Sequence, residues 1–413
     1  MKVTGIIAEY NPFHNGHLYH IQTAKQQTNA DYVVIVMSGD YTQRGIPALL
    51  SKYVRAKHAL LAGADLVLEL PTPYAISSAE HFALGSCALL NQLGVVDNLC
   101  FGMEQDDLTS LQSLADIISS EPAEYQNLIK EKLSEGLSFP KAQLETLKIY
   151  KPGLNLSLLD KSNNRLGLEY LKALRTLNSS ITPVPIKRIG KDYDDTGLSS
   201  NGNQEFSSAS AIRNHVSDNI NIQELNHHVP AFVWEDMETL LNNKEYLFTR
   251  DFDLLLHYKL LQQSSETLQE YVDINEDIAN KIINHLPSYE GFDDFCMKLK
   301  SKDLTYTRIS RMLLHVILDF KKTDLQLLST IQHTPYGRIL GFRKESGALL
   351  HEIKEKSSFP LISKLADASK LLSKDALYIL EKDISSAHIY GAVLSQKTGC
   401  VSQNEYKQPI VIV

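Results

Sequence analysis

Two histidines, His14 and His17, follow the first predicted strand and lie at the start of the first predicted helix. Pro12 fixes the turn between these elements, and Gly16 lets the backbone approach a ligand closely. A helix N-terminus presents free N–H groups and a partial positive charge, which suit phosphate. Two imidazoles three residues apart can add donors that stabilise charge on an α-phosphate while pyrophosphate leaves. The segment therefore predicts nucleoside triphosphate chemistry, with His14 and His17 as catalytic residues.

These histidines have two alternative roles. They could cap or pack against the first helix without touching a ligand. They could instead bind a metal ion together with His20. However, His14 precedes the helix, so the three rings need not share a face, and no set of carboxylates accompanies them. We therefore predict no metal site.

Further polar residues are predicted near the same rim of the sheet. Asp40 follows the second predicted strand and can accept a proton from an amine, or hold a ligand amine or hydroxyl. We predict a catalytic role for Asp40, with a turn-forming role as the alternative. Lys52, Arg55 and Lys57 are candidates for neutralising the remaining phosphate charge.

Short β-branched runs alternate with amphipathic segments up to about residue 215. The predicted strands are 3–8, 32–37, 66–69, 98–101 and 184–189, and predicted helices between them include 17–28, 52–62 and 78–93. This alternation is typical of a parallel, doubly wound sheet, whose ligands bind at the carboxyl ends of the strands. The first predicted domain, residues 1–217, is therefore α/β and Rossmann-like.

The remaining chain, residues 218–413, is predicted as a second, mainly α-helical domain. Apolar residues recur there at helical spacing over 222–241, 250–261, 268–286, 306–320 and 370–380. Strand signals are few before 408–413.

The composition excludes several classes of protein. The chain has 413 residues, of which 43% are hydrophobic and 22% charged, as in ordinary globular proteins. No apolar run is long enough to span a membrane, and the N-terminal residues lack the features of a signal peptide, which predicts a cytoplasmic protein. Four cysteines without a CxxC pair are predicted to be reduced and mostly buried. The net charge of −8 argues against non-specific coating of nucleic acid.

One segment nevertheless has a strong positive charge. Residues 296–344 contain ten basic and three acidic residues, which predicts a surface that faces phosphates. The aromatic residues Tyr306, Tyr336 and Phe342 could stack on unpaired bases. A solvated helical face is the alternative. The residues of this segment predicted to contact a nucleic acid are Lys298, Lys300, Lys302, Arg308, Arg311, Lys321, Lys322 and Arg343.

Three motifs carry a resemblance to a known superfamily. The run from His14 to His17 resembles the HxGH signature of nucleotidylyltransferases and class I aminoacyl-tRNA synthetases. The run from Ser207 to Arg213 resembles the late ISSTxIR motif, although Ala209 replaces the usual serine and Ser210 the threonine. Residues 163–170 are similar to the N-x-x-L-G-x-E-Y stretch of such enzymes.

Together with residues 5–17, 37–45, 68–71 and 79–83, these motifs identify the chain as resembling the bacterial tRNA(Met) cytidine acetate ligase family over most of its length. The resemblance implies that ATP activates acetate as acetyl-adenylate, and that the acetyl group passes to N4 of the wobble cytidine of elongator tRNA(Met). Mg²⁺ is expected because ATP is normally bound with it.

The resemblance also implies a set of ATP contacts. They are Ile7, Ala8, Glu9, Tyr10, Asn11, Pro12, Phe13, His14, Asn15, Gly16, His17, Leu18, Tyr19, His20, Gly102, Asn164 or its neighbour Asn163, Arg188, Ile189, Ser208, Ser210 and Arg213.

Two other functions remain open from the sequence. One is an adenylyltransferase that joins AMP to a small phosphorylated metabolite; such enzymes are usually much smaller, so the long basic helical half disfavours it. The other is a non-catalytic RNA-binding protein that responds to ATP. The sequence leaves the oligomeric state open.

Overall fold

A single eight-stranded sheet organises the computed structural model, which describes residues 1–189, 198, 206–218 and 221–413. Its strands are β1 (Val3–Ala8), β2 (Tyr32–Ser38), β3 (Leu66–Leu70), β4 (Asn98–Met103), β5 (Thr182–Lys187), β6 (Gly337–Phe342), β7 (Leu361–Ile362) and β8 (Val411–Ile412). The strands run in the order β5-β4-β1-β2-β3-β6-β7, and β8 also pairs with β6. Strands β1 to β5 are mutually parallel, so the predicted Rossmann-like sheet is confirmed.

Helices cover both faces of this sheet and build most of the chain after residue 218. The helices are α1 (Asn15–Thr28), α2 (Lys52–Leu61), α3 (Thr72–Ala75), α4 (Ala79–Gln92), α5 (Leu108–Ser120), α6 (Ala123–Ser134), α7 (Phe139–Tyr150), α8 (Ser162–Thr176), α9 (Ala209–Ser217), α10 (Ala231–Asn242), α11 (Asp253–Leu261), α12 (Ser265–Leu268), α13 (Glu276–His285), α14 (Phe292–Leu299), α15 (Tyr306–Leu318), α16 (Lys322–Thr330), α17 (Gly347–Lys356), α18 (Ala368–Leu371) and α19 (Lys374–Thr398).

The predicted helix 370–380 divides at Ser373, which caps α19. Two longer predicted helices are also interrupted, and each break has a local cause. Residues 222–241 divide because Pro230 precedes α10, and a proline is favoured at a helix start and disfavoured inside. Residues 268–286 divide because Asp273 has a φ of 66°. Asn275 then caps α13 by accepting a hydrogen bond from the Ile278 amide.

The prediction missed strand β6, which pairs antiparallel with β3. Its two glycines weaken the sequence signal for a strand, but the tertiary structure needs them. A Cβ atom at Gly341 would lie 2.6 Å from the Val411 oxygen, and one at Gly337 would lie 2.7 Å from Leu361 Cδ2. Glycine therefore lets β7 and β8 approach β6.

The sheet takes strands from both sides of the predicted boundary at 217/218. The buried core on one sheet face includes residues from β1 to β4 and also from α16, β6, α17 and α19. A separate core lies among α11, α13, α14 and α15. That core also takes in Tyr41 and Ile76 from the first half of the chain. The division into two domains stays a prediction, and the two predicted segments share one sheet.

A buried ion cluster joins these segments. Glu69 on β3 faces Arg338 on β6 in the antiparallel register, with 3.0 Å between Arg338 Nη1 and Glu69 Oε2. Glu405, near the C-terminus, lies 2.9 Å from Lys52 Nζ and 2.6 Å from Arg338 Nη2. Burial alone raises the pKa of Glu405, but the two cations outweigh it and lower that pKa to about 2. The cluster therefore attaches the C-terminal residues to the sheet.

The other expectations from composition concern cysteines and membranes. Cys87, Cys100 and Cys296 are buried and Cys400 is exposed, and all four are free, as predicted. Over the ranges that the structure describes, no helix is both long enough and apolar enough to pass through a lipid bilayer.

We predict that Glu405→Gln lowers the free energy of unfolding by about 3 kcal/mol at pH 7, because it leaves buried cations without their carboxylate. Urea denaturation measures this change. Glu135→Gln, in the exposed ion pair with Lys132, is the matched control and should leave the midpoint nearly unchanged. Because the pKa of Glu405 is lowered, its contribution is present above about pH 4.5 and disappears as the pH falls toward 2. Equal midpoints for Glu405→Gln and the control would contradict this role.

Candidate active site

A cavity opens at the carboxyl ends of β1, β4 and β5, beside the N-terminus of α1. Strand β1 pairs with β2 on one side and with β4 on the other, which makes this edge the switch point of the sheet. Ligands of parallel sheets bind at such points. Glu9 after β1, Gly102 on β4 and Arg188 after β5 all line the cavity.

Two imidazoles cap the start of α1 reciprocally. His14 Nδ1 accepts a hydrogen bond from the Gly16 amide at 3.1 Å, and His17 Nδ1 accepts one from the His14 amide at 3.2 Å. The two rings stack with centroids 3.7 Å apart. Since both Nδ1 atoms accept, each neutral ring carries its proton on Nε2. The helix begins at Asn15, two residues before the predicted start, because His14 is the N-cap.

Burial keeps the imidazoles of this site neutral. Burial and the charges of Arg188 and Arg213 lower the pKa of His14 to about 3. Burial and Arg188 lower the pKa of His20 to about 4, and burial and His14 bring that of His17 well below its usual value. The histidines therefore offer neutral N–H donors at pH 7, while the two guanidinium groups supply the positive charge that an anion needs.

Several buried polar atoms around the cavity have no hydrogen-bond partner within the described chain. They include Tyr10 Oη, Asn11 Nδ2 and His20 Nε2. A buried polar group without a partner costs about 1–3 kcal/mol. Tyr10 also has a φ of 50°, in the left-handed region that costs a non-glycine residue about 1–2 kcal/mol. Such costs concentrate at ligand sites, which favours this cavity as the functional one.

The segment with the ISSTxIR-like motif starts α9 and contributes to the same cavity. Arg213 lines the cavity, and its Nη2 donates to Ser210 Oγ at 3.0 Å. Ser208 caps α9 with its hydroxyl. Ser207 and Ala209 line the cavity, whereas Ser208 and Ser210 are not among its lining residues. Ser208 therefore caps the helix and Ser210 contacts the cavity-lining Arg213, and direct contacts of their hydroxyls with a ligand stay a prediction.

The adjacent asparagines have different roles. Asn164 is fully buried, and its Oδ1 accepts a hydrogen bond from the Glu104 amide at 2.9 Å. The Glu104 carboxylate in turn accepts hydrogen bonds from the backbone N–H groups of Asn163 and Asn164, at 3.2 Å each. Asn163 lines the cavity and Asn164 does not. Asn164 thus ties the end of β4 to the start of α8, and Asn163 is the one of the pair that can reach a ligand.

The predicted ATP contacts divide into two groups by position. Those that line the cavity are Ile7, Ala8, Glu9, Tyr10, Asn11, His14, Gly16, His17, Tyr19, His20, Gly102, Asn163, Arg188, Ile189 and Arg213. Those outside its lining are Pro12, Phe13, Asn15, Leu18, Asn164, Ser208 and Ser210. Phe13 is buried and packs on Tyr10 and His17, so it supports the wall from behind.

The structure places Asp40 away from the cavity lining. Its Oδ1 accepts a hydrogen bond from the Lys52 amide at 3.0 Å, and its Oδ2 lies 3.5 Å from Lys52 Nζ. Burial raises the pKa of this carboxyl, with Lys52 opposing the change. Asp40 therefore belongs to the ion cluster at the start of α2, and this position does not support its predicted catalytic role.

The three cations proposed to neutralise phosphate are also engaged elsewhere. Lys52 lies in the ion cluster, and Arg55 is buried and donates to the carbonyls of Ser38 and Leu50. Lys57 pairs with Asp236 at 2.7 Å. None of the three lines the cavity, which corrects that expectation.

Sequence reasoning missed the loop that follows β2. Four residues of this loop line the cavity: Thr42, Gln43, Arg44 and Ile46. Their position after a parallel strand was the signal that could have identified them, but only Asp40 was predicted from it. The apolar wall was also missed, because its residues come from distant segments that only tertiary packing brings together. Its members include Phe82, Phe101, Leu166, Tyr170, Ile186 and Phe206.

The basic segment does not form one continuous surface. Arg343 follows β6, whose last residue pairs with Leu66 at the amino end of β3. Arg311 instead donates to the Gln43 carbonyl at 3.4 Å, beside the carboxyl ends of the strands. The two arginines therefore lie at opposite edges of the sheet.

The individual side chains differ in exposure as well. Lys300, Lys302 and Lys322 are exposed, whereas Lys298, Arg308, Arg311, Lys321 and Arg343 are partly buried. Lys298 pairs with Asp294, Lys321 with Glu270 and Arg343 with Glu345. Tyr336, proposed for base stacking, is buried and donates to Asp383 Oδ2 at 2.6 Å, so it cannot stack on RNA. Arg338 is buried in the ion cluster.

Paired histidines at the start of a helix, after the first strand of a parallel sheet, define a nucleotidyl transferase of the HIGH type. The model of the HIGH Nucleotidyl Transferase family matches residues 1–406.

Relatives of similar length point to one group within this class. The tRNA(Met) cytidine acetate ligase of Clostridium novyi is 40% identical over 95% of this chain and 96% of its own length. The tRNA(Met) cytidine acetate ligase of Clostridium perfringens is 42% identical over 94% of this chain and 95% of its own length. The crystal structure of Thermotoga maritima TmcAL superposes over the full length of both chains with a TM-score of 0.93 at 30% identity. The crystal structure of the same Thermotoga protein bound with alpha-thio ATP has a TM-score of 0.91, also at 30% identity. This match covers 100% of this chain and 99% of the Thermotoga chain. The chain therefore belongs to the tRNA(Met) cytidine acetate ligase family of HIGH nucleotidyl transferases.

We predict that the free energy of unfolding falls more steeply below pH 6.5 in the wild type than in His20→Gln. The folded ring has a pKa of about 4, so only the unfolded chain binds this proton between the ordinary pKa near 6.5 and pH 4. The contribution of the neutral His20 ring to the free energy of unfolding is therefore fully present above about pH 6.5. It decreases as the pH falls, by up to about 1.4 kcal/mol per pH unit for one proton. Urea denaturation between pH 7.5 and 5 measures both slopes. His351→Gln, which removes an exposed histidine on α17, is the control, and identical slopes in wild type and His20→Gln would contradict the neutral buried ring.

Proposed function

We propose that this protein is an ATP-dependent ligase that activates acetate as acetyl-adenylate and transfers the acetyl group to N4 of the wobble cytidine of elongator tRNA(Met). The observation that carries the proposal is the pair of neutral His14 and His17 rings with Nε2–H donors at the N-terminus of α1, beside Arg188 and Arg213. The names of the close relatives, and the ATP analogue bound to the Thermotoga protein, support it.

The first step forms a mixed anhydride. An acetate oxygen attacks the α-phosphorus of ATP, the bond from that phosphorus to the bridging oxygen of pyrophosphate breaks, and pyrophosphate leaves. The two Nε2–H groups and the helix N-terminus stabilise the charge that develops on the α-phosphate. The positive charges of Arg188 and Arg213 offset the negative charge of the phosphates. Gly102 leaves space beside Arg188, since a Cβ atom at this position would lie 3.2 Å from Arg188 Cγ.

The second step is acyl transfer. The cytidine N4 attacks the acetyl carbonyl carbon, the bond to the adenylate oxygen breaks, AMP leaves, and N4 loses a proton. AMP is a good leaving group, so the remaining task is to align N4 with the carbonyl and to exclude water. The apolar wall that includes Phe82 and Phe101 favours such exclusion.

Mg²⁺ remains part of the proposal. Among the described residues that line the cavity, Glu9 is the one carboxylate, and its Oε1 accepts a hydrogen bond from the Gln43 amide at 2.7 Å. An all-protein magnesium site does not fit this lining, whereas an ion that enters with ATP and is held mainly by phosphate oxygens does. A cytoplasmic location, where tRNA is modified, also stays a prediction.

The direct test is incubation with ATP, acetate and elongator tRNA(Met), followed by mass analysis of the wobble nucleoside. We expect a mass increase of one acetyl group that depends on both ATP and acetate.

His14→Ala and His17→Ala should each lower acetate-dependent exchange of pyrophosphate into ATP by roughly 100-fold or more, because each removes a transition-state donor. His351→Ala is the surface control. Exchange with a phosphorylated metabolite in place of acetate would favour the adenylyltransferase, and no turnover on any acid would favour an ATP-responsive binding protein.

For tRNA we predict a difference between the two edges of the sheet. Arg308 is one turn from Arg311 on α15, near the loop that lines the cavity, whereas Arg343 is at the opposite edge. Arg308→Glu should weaken tRNA binding by roughly 10-fold at moderate salt and leave acetate-dependent pyrophosphate exchange unchanged. Filter binding measures the affinity, with Arg343→Glu as the matched charge reversal. An equal or larger loss in Arg343→Glu would move the tRNA surface to the other edge.

A further inference from the structure

The loop of residues 41–47, which we call the β2 loop, closes the cavity on the side of β2. Its own hydrogen bonds make it a compact turn: the Thr42 amide donates to the Ile46 carbonyl at 3.0 Å, and the Gly45 amide to the Thr42 carbonyl at 2.9 Å. Thr42, Gln43, Arg44 and Ile46 face the cavity from this turn. The catalytic roles described above use none of these residues.

Helix α15, from the distant part of the chain, holds this loop from behind. Ser310 is fully buried, and its Oγ donates to the Gly45 carbonyl at 2.7 Å. Arg311 Nη1 donates to the Gln43 carbonyl at 3.4 Å. Two consecutive helix residues thus hydrogen-bond the loop backbone, at the carbonyls of Gln43 and Gly45, which flank Arg44.

Gly45 makes the close contact possible. Its φ is 77°, a conformation that side chains disfavour, and a Cβ atom there would overlap the Arg311 amide nitrogen. The loop backbone therefore packs directly on the helix backbone. The helix side chains and the close approach at Gly45 thus both contribute to the position of the β2 loop, together with the Gln43 amide, which donates to Glu9 Oε1.

The order of the strands separates the cavity into regions. Gly102, Asn163 and Arg188 lie at the β4 and β5 side, and the N-terminus of α1 follows β1 in the middle. The β2 loop lies on the other side of β1. If the nucleotide occupies the middle and the β4 and β5 side, the side of the cavity at the β2 loop is left for the small carboxylate.

We propose that Ser310 and Arg311 are positioning residues that hold the β2 loop as the wall of the subsite for the small carboxylate substrate. The proposal rests on the acetate-activating function proposed above. It assigns Arg311, which the sequence suggested as a tRNA contact, to the support of the acid subsite. It also places Arg308, a predicted tRNA contact, one turn from Arg311 on the helix that supports this subsite.

The test is acetate-dependent exchange of pyrophosphate into ATP, which needs no tRNA, with KM measured separately for acetate and ATP. Arg311→Met and Ser310→Ala should raise the KM for acetate by roughly 10-fold or more, because a displaced wall misplaces the acid, and should leave the KM for ATP unchanged. Arg311→Lys should recover part of the loss, since its ammonium can also donate to the Gln43 carbonyl.

Two matched controls separate positioning from general loss of stability. His315 is buried on the same helix and its Nε2 bonds to the Ile76 carbonyl at 3.1 Å, outside the β2 loop. His315→Asn should lower the unfolding midpoint without raising the KM for acetate. Gly45→Ala should raise that KM, whereas Gly136→Ala should not, because Gly136 has a similar φ of 82° and a methyl group there would have no atom within 4 Å.

The outcomes distinguish this proposal from the proposed function. If the wild type exchanges with acetate but Arg311→Met, Ser310→Ala and Gly45→Ala keep its KM for acetate, the positioning role is wrong and the ligase function stands. The positioning role is also wrong if His315→Asn raises this KM equally, or if the KM for ATP rises in parallel. A wild type that shows no exchange with acetate overturns the function and this proposal together.

Discussion

The reciprocal capping of α1 by His14 and His17 is the interaction on which the chemistry of this protein depends. Each imidazole uses Nδ1 to accept a backbone N–H, so the helix start is satisfied and each Nε2–H remains for a ligand. Gly16 is required between them because a Cβ there would lie 2.9 Å from His14 Cε1. The same few residues therefore stabilise the helix and orient two neutral donors beside its positive end.

The long helical segment belongs to the structure of the site and is more than an appended binding module. It adds strands β6, β7 and β8 to the sheet, and Arg338 on β6 pairs with Glu69 in the interior. Buried ion pairs contribute little net stability against apolar alternatives, but an unpaired member is costly. The cluster therefore favours one arrangement of the two segments, and in that arrangement helix α15 contacts the β2 loop.

Motifs close to strand ends could be interpreted from the sequence because parallel strands share one edge. The ends of strands β1, β4 and β5 converge there, so the histidines could be placed at this edge from the sequence, whereas Gly102 and Arg188 were expected there only from the family resemblance. The same reasoning failed for Asp40, because it predicts which edge a residue lies on and not which way its side chain points. Asp40 turns toward Lys52, while its neighbours Thr42 and Arg44 face the cavity.

The sequence by itself determined the local features: the parallel strands, the helix start with its two histidines, the mainly helical second half and the family. These depend on residues that are adjacent in the chain, so their spacing carries the information. Only the tertiary structure decided that β6 joins the sheet, that Arg311 supports a loop and that Arg343 lies at the opposite edge. Those outcomes depend on pairs such as Glu69 with Arg338 and Gly45 with Ser310, which lie more than two hundred residues apart and are brought together only by packing.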